Sequence, residues 1–204
     1  MIKIYDGAST PESVLRELSE ALKEGELIII PTDTRYSLCC DALNQNSLER
    51  LAHLKGVDPK KSTFSILCSD ITQVSEYARL NNDAFKLIKS NTPGPFTFIL
   101  PVSSSLPKIY KGRKEVGVRI PRHRFVLDLI TYLGHPLTGF SLPIDIEQRE
   151  EEYGYHPELI EELWGTQVAY VVDGGIGCMV ESAIVNCISE PFEIDREGPE
   201  SLVL

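Results

Sequence analysis

No apolar run in this chain is long enough to cross a bilayer as a helix, which takes about 20 residues, so a membrane span is not expected. The opening stretch, MIKIYDGASTPES, lacks the apolar core of a secretory signal and reads as mature protein. No C-x-x-C pair occurs among the 5 cysteines (Cys39, Cys40, Cys68, Cys178 and Cys187), which are odd in number and scattered. Neither a zinc site nor a disulfide framework is indicated, and a reduced, cytoplasmic setting is the simplest expectation. There is no G-x-x-x-x-G-K-[ST] phosphate loop and no G-x-S-x-G elbow. The 4 histidines stand apart from any serine or cysteine partner, and no metal-ligand spacing emerges. Positive charge is also in deficit. Lys and Arg total 20 against 30 Asp and Glu, a net charge of −10, which argues against a protein that coats nucleic acid indiscriminately. Linkers, repeats and low-complexity segments are lacking as well, so one domain spanning 1–204 is expected.

What the chain does have is a strand end with unusual chemistry. Leu27-Ile28-Ile29-Ile30 is apolar without alternation, the pattern of a strand covered on both faces. It stops at Pro31 and gives way to Thr32-Asp33-Thr34-Arg35-Tyr36, five side chains that can all hydrogen-bond. Ligands in wound α/β sheets settle at such strand ends. A solvated turn would look the same on this stretch alone.

Around it, strands and helices alternate. A strand at 3–5 precedes a helix opened by Ser9-Thr10-Pro11-Glu12, where Ser9 can cap and Glu12 reciprocate, and closed by Gly25. Helical spacing continues over 44–54, 70–78, 82–89, 125–133 and 157–163, with a further helix expected near 145–152. Strands are expected at 38–40, 63–68, 96–100, 116–120, 136–141, 168–172, 182–188 and 192–195, and the SLVL tail could add an edge. The late strands follow one another closely, which favours a mixed over a purely parallel sheet.

Charge is unevenly placed. Residues 108–124 hold seven Lys/Arg against Glu115, and residues 145–162 hold eight acids against Arg149. An acidic body with a local basic face suits an anion at one site, whether nucleotide, phosphate or a short RNA surface. Two solvated faces of opposite sign would suit it too.

Several motifs then line up in order. Pro31-Thr32-Asp33-Thr34-x-Tyr36-x-Leu38 resembles the PT-[DE]-T-x-Y-G-L signature of the YrdC/YciO family. Lys55-Gly56 resembles the start of its K-G-R loop, Pro93-Gly94-Pro95-Phe96-Thr97 its P-G-P-x-T turn, and Gly117-Val118-Arg119-Ile120-Pro121 its G-[VI]-R-[VI]-P strand. Asp173-Gly174-Gly175, Ser182-Ala183-Ile184-Val185 and Arg196-Glu197-Gly198 resemble its D-G-G, S-T-[IV]-V and R-x-G pieces.

The resemblance implies an α/β fold, a YrdC/RibB-like twisted mixed sheet flanked by helices, with a concave basic cavity. It also implies a reaction in which L-threonine, bicarbonate and ATP with Mg²⁺ give threonylcarbamoyl-adenylate and pyrophosphate, for modification of tRNA. Lys55 and Arg119 then become phosphate or carboxylate clamps in the catalytic role. Thr32, Thr34, Tyr36, Ser141 and Ser182 become substrate contacts. Arg35, Lys60, Lys61, Asp173 and Arg196 become nucleotide contacts, and Lys111, Arg113, Lys114, Arg122 and Arg124 candidate RNA contacts.

The departures are specific. Val57 stands where the family has the K-G-R arginine, Pro143 where it has the S-x-N asparagine, Ser37 after Tyr36, and Ala183 after Ser182. Lysine cannot reproduce the planar fork of a lost arginine, and proline offers neither amide nor N–H. This pattern resembles the YciO branch. Arg35, with Lys60 or Lys61, is a candidate replacement for part of the charge lost at Val57. Three readings stay open: an altered threonylcarbamoyl-adenylate synthase, a non-catalytic module for double-stranded RNA or ribonucleotides that keeps the basic cavity, or a metabolite-binding paralogue whose ligand has drifted.

Overall fold

The computed structural model describes residues 1–4, 9–59, 61, 64–103, 106, 110, 112–143 and 151–203. Among the described residues ten strands form one mixed sheet. In chain order they are β1 (Ile2–Lys3), β2 (Ile28–Ile30), β3 (Ser37–Asp41), β4 (Ser65–Leu67), β5 (Phe96–Pro101), β6 (Glu115–Arg119), β7 (Leu137–Ser141), β8 (Tyr170–Asp173), β9 (Ala183–Asn186) and β10 (Glu193–Arg196). Across the sheet the order is β1-β8-β2-β3-β7-β4-β6-β5-β9-β10. Parallel pairs (β1/β8, β2/β8, β4/β6, β5/β9) interleave with antiparallel ones (β2/β3, β3/β7, β4/β7, β5/β6, β9/β10), as the close spacing of the late strands predicts.

The helices are α1 (Glu12–Lys23), α2 (Gln45–Lys55), α3 (Ile71–Tyr77), α4 (Asn82–Asn91), α5 (Arg124–Leu133) and α6 (Pro157–Trp164). Three begin at side-chain caps. Asn44 accepts from the N–H groups of Asn46 and Ser47, Asp70 from Gln73, and Asn81 from Ala84. The expected Ser9 box at α1 does not form: the helix starts two residues later, with Pro11 at the cap and no side-chain hydrogen bond there. Gly25 closes α1 at φ 91° and Gly56 closes α2 at φ 72°, a left-handed turn that a Cβ disfavours. The tail at 201–203 forms no strand, and the helix expected near 145–152 falls mostly outside the described residues, leaving a short 3-10 turn at Glu151–Gly154. Among the described residues no helix is long and apolar enough to cross a membrane.

The apolar run at β2 is buried on both sides. Leu27 and Ile29 face the larger core with Leu48 and Leu51 of α2, Val74 of α3, Ile88 of α4 and Ile160 of α6. Ile28 and Ile30 face a second core built by Leu18 and Leu22 of α1 and Phe125, Val126, Leu129 and Ile130 of α5. Each fully buried Leu or Ile contributes about 1.5–3 kcal/mol. The α1/α5 pair covers only one end of its face of the sheet. Cys39 and Leu67 are the last residues of that face to join its core, and they also border an open cleft over β7, β4, β6, β5 and β9. That uncovered half-face is where the site lies.

Candidate functional site

The alternation of strand side chains decides the floor of the cleft. Ser37 and Cys39 of β3, Gly139 and Ser141 of β7, Ser65 and Leu67 of β4, Arg119 of β6, Thr97 of β5 and Ile184 of β9 all line it. It has a volume of ≈ 370 Å³ and is completed by Arg35, Lys55, Phe64, Phe140, Pro143, Glu181, Ser182 and Arg196. A second cleft of ≈ 680 Å³ continues from it across Phe64, Ser65, Thr97 and Ile184, and adds Lys61, Arg113, Lys114, Glu115, Gly117, Asn186 and Asp195. Gly139 keeps the floor low: a Cβ there would strike the Leu38 carbonyl oxygen and come 2.7 Å from Cys39 Sγ. Cys39 itself is fully buried, and burial pushes its thiol pKa upward, away from reactivity.

Arg119 is the deepest cation. Its residue is 5% exposed, and its guanidinium donates to Asp33 Oδ1 at 2.6 Å and to Thr34 Oγ1 at 2.9 Å. Burial lowers its pKa, and the Asp33 carboxylate opposes that fall. Arg119 Nε and Asp33 Oδ2 are buried with no hydrogen-bond partner among the described residues. Behind this pair the Thr34 hydroxyl and N–H both meet Thr32 Oγ1, at 3.1 and 3.0 Å, and Thr32 in turn donates to the Arg35 carbonyl at 2.8 Å. Thr32 and Thr34 are therefore buried supports for Arg119 rather than lining residues.

Arg35 and Arg196 stand on opposite elements and share one carboxylate. Arg35 Nη1 meets Glu181 Oε1 at 2.9 Å, and Arg196 Nη1 meets Glu181 Oε2 at 2.6 Å. Each arginine is also anchored through Nε to a backbone carbonyl, Arg35 to Met179 at 2.9 Å and Arg196 to Ser182 at 3.0 Å. Ser182 Oγ lies 2.9 Å from Thr97 Oγ1. At the end of α2, Lys55 Nζ sits 5.2 Å from the ring centres of both Phe64 and Phe140, and partial burial lowers its pKa. Among the described residues no carboxylate pairs with it.

The structure thus brings Arg35, Lys55, Arg119, Ser141, Ser182 and Arg196 to one cleft and Lys61, Arg113 and Lys114 to the adjoining one. It places others elsewhere. Tyr36 is fully buried, its hydroxyl donating to the Gly175 carbonyl at 2.7 Å and accepting from Gly174 N–H at 3.1 Å. Asp173 accepts from Gly175 N–H at 2.8 Å and shapes that same turn. Arg122 is held by Glu200 at 2.7 and 3.0 Å, and Arg124 by Asp128 at 2.9 and 3.1 Å, so neither presents a bare charge. Arg113 stacks over Tyr110 at 4.8 Å. Lys60 and Lys111 lie outside the described residues. Val57 is partly buried against the larger core, and Pro143 borders the cleft.

Sequence reasoning passed over Thr97, Phe64, Phe140 and Glu181. Thr97 could have been found, because it closes the Pro93–Thr97 motif. Glu181 carries no such signal, since its role depends on two arginines distant in the chain. Among the described residues no group of three or more His, Cys, Asp or Glu side chains gathers to hold a metal ion.

The Sua5/YciO/YrdC family model, described as telomere recombination, matches residues 20–198. An uncharacterised protein of Haemophilus influenzae is 34% identical over 190 residues, 92% of this chain and 90% of that protein. The crystal structure of Escherichia coli YciO superposes with a TM-score of 0.87 at 27% identity, covering 98% of this chain and 96% of that one. Pyrococcus abyssi Sua5 complexed with L-threonine superposes with a TM-score of 0.84 at 27% identity, over 97% of this chain but only 58% of that one. A P. abyssi threonylcarbamoyl-AMP synthase is 30% identical over 182 residues, 87% of this chain and 52% of that protein.

Proposed function

The chain belongs to the Sua5/YciO/YrdC family, and from that premise we propose that its cleft binds ATP, with its Mg²⁺, together with L-threonine, and forms threonylcarbamoyl-adenylate slowly. The observation that carries the reading is electrostatic. In a protein of net charge −10, four cationic side chains converge on one cleft and are opposed there by Glu181 and Asp33. A nucleotide and an amino-acid carboxylate repel each other in water. Fixed cations and hydroxyls on a rigid sheet offset that repulsion and align the reactants.

In the proposed reaction bicarbonate carboxylates the threonine amine with loss of water. A carbamate oxygen then attacks the α-phosphorus of ATP, the bond from that phosphorus to the bridging oxygen breaks, and pyrophosphate leaves with the bonding pair. Lys55 and Arg119 neutralise the anions, and Ser141, Ser182 and Thr97 supply hydroxyls. The slowness follows from two side chains. Val57 is packed on the core and offers no charge, and Pro143 offers no amide. A charged hydrogen bond contributes about 1.5–3 kcal/mol, so each loss lowers the rate or affinity by roughly one to two orders of magnitude.

Pyrophosphate release from ATP, measured with and without threonine and bicarbonate, tests the proposal. Release that depends on both supports it. Nucleotide binding with no threonine-dependent release would reduce the protein to a ribonucleotide-binding module. Salt-sensitive binding of double-stranded RNA without turnover would favour the RNA reading, which has less support because Arg122 and Arg124 are already paired.

A further inference from the structure

Among the described residues Glu181 is the one carboxylate on the wall of the smaller cleft, and its position is unusual. Its two oxygens are divided between two arginines that come from opposite sides of the site, Arg35 ahead of β3 and Arg196 at the end of β10. Neither arginine needs Glu181 to hold its place. Arg35 keeps its Nε bond to the Met179 carbonyl, and Arg196 keeps its Nε bond to the Ser182 carbonyl. What Glu181 occupies is the Nη1 group of each arginine.

Two guanidinium groups converging on a pair of oxygens make a phosphoryl clamp. A single carboxylate leaves the trio with an excess positive charge, which a dianionic phosphoryl group would neutralise more fully than a monoanion. The Glu181 side chain is 38% exposed, so it can swing into water without crossing the core.

We propose that Arg35 and Arg196 form a phosphoryl-binding subsite and that Glu181 is its built-in competitor, seated between them until a phosphoryl group displaces it. The competition sets a threshold. Carboxylates and other monoanions do not repay the loss of two ion pairs, whereas a di- or polyphosphate does. The subsite thereby selects phosphorylated ligands in a cleft whose remaining cations would accept any anion. This inference rests on the nucleotide reading of the same cleft and adds to it the means by which the empty site is kept closed.

The test is titration calorimetry of the intact protein with inorganic pyrophosphate, with ATP and, separately, with acetate. Glu181→Gln and Glu181→Ala should each bind pyrophosphate about five- to tenfold more tightly than the unaltered chain, the scale of two partly exposed ion pairs removed. Both should also bind acetate more tightly than the unaltered chain does, because the Arg35–Arg196 subsite then adds to the other cations of the cleft. Arg35→Gln and Arg196→Gln should weaken pyrophosphate binding about tenfold or more. Near-ultraviolet circular dichroism of each variant checks folding, and the two Glu181 substitutions serve as independent versions of the same test. If neither tightens pyrophosphate binding while the unaltered chain binds ATP, the competitor role is wrong and the nucleotide reading stands. If no variant and not the unaltered chain binds ATP or pyrophosphate, both fall together.

Discussion

Replacing Arg119 by methionine isolates the interaction at the centre of the site. The substitution keeps an unbranched side chain of similar length and removes the guanidinium, so Asp33 loses its 2.6 Å partner and Thr34 its 2.9 Å donor. The Asp33 side chain is 12% exposed, and one of its oxygens already lacks a hydrogen bond. An uncompensated buried charge of this kind costs about 3–5 kcal/mol, and the residual exposure of Asp33 places the expected loss near the lower bound, about 3 kcal/mol. For a chain of this size each kcal/mol lowers Tm by roughly 2–4 °C, so a fall of about 6–12 °C follows. The double variant Asp33→Leu with Arg119→Met removes both charges and should recover at least half of the loss, because apolar replacement of a whole pair is often neutral. Urea unfolding without ligand, run as a double-mutant cycle, measures the coupling directly. A loss under about 1 kcal/mol for the single variant, or strict additivity in the double, would refute the view that Asp33 and Arg119 are an interdependent pair.

Two further outcomes follow from the geometry. Burial pushes the Tyr36 hydroxyl up to about 12, from an ordinary value of 10.0, so the unfolded chain ionises this tyrosine first. The stability it contributes is complete below pH 10 and is lost as pH rises through 12, a decline of about 2–3 kcal/mol. Tyr36→Phe should flatten that decline while lowering neutral stability by about 1 kcal/mol, and equal slopes for both proteins in alkaline urea titrations would count against it. Gly139→Ala presses on the backbone of β3 and should cost about 1–3 kcal/mol, whereas Gly117→Ala meets Ser65 Oγ, which can rotate away, and should cost less; the reverse order of urea midpoints would contradict this account of the floor.

The sheet elements were legible because their cause is local. The unbroken apolar run at 27–30 demands cover on both sides, and the structure supplies two cores. Asn44, Gly25 and Gly56 bound their helices for reasons that a few residues contain. The site was legible only in part, because a motif identifies residues without saying which way they face. Thr32, Asp33, Thr34, Arg35 and Tyr36 look equivalent in the sequence, yet Tyr36 fastens the Gly174-Gly175 turn, Thr32 and Thr34 brace Arg119, and Arg35 borders the cleft. The basic stretch at 108–124 hides its pairings for a similar reason. Its arginines find acids such as Glu200, 78 positions away, and no local pattern announces such a partner.

The strand order has a consequence for when the site comes into being. Arg35 reaches Glu181 across 146 positions, Arg119 reaches Thr34 across 85, and Thr97 reaches Ser182 across 85. β9 and β10, the last of the described strands in chain order, form the far edge against β5 and bring Ser182, Ile184 and Arg196. A growing chain therefore carries the pentad, Lys55 and Arg119 long before it can bind anything with them. Closing contacts so distant in sequence is slow, and an incomplete edge at β5 stays open to wrong pairing until β9 arrives. Once it does, a ligand held in the cleft would stabilise the whole sheet by mass action, so occupancy of the cleft would report that the sheet is complete.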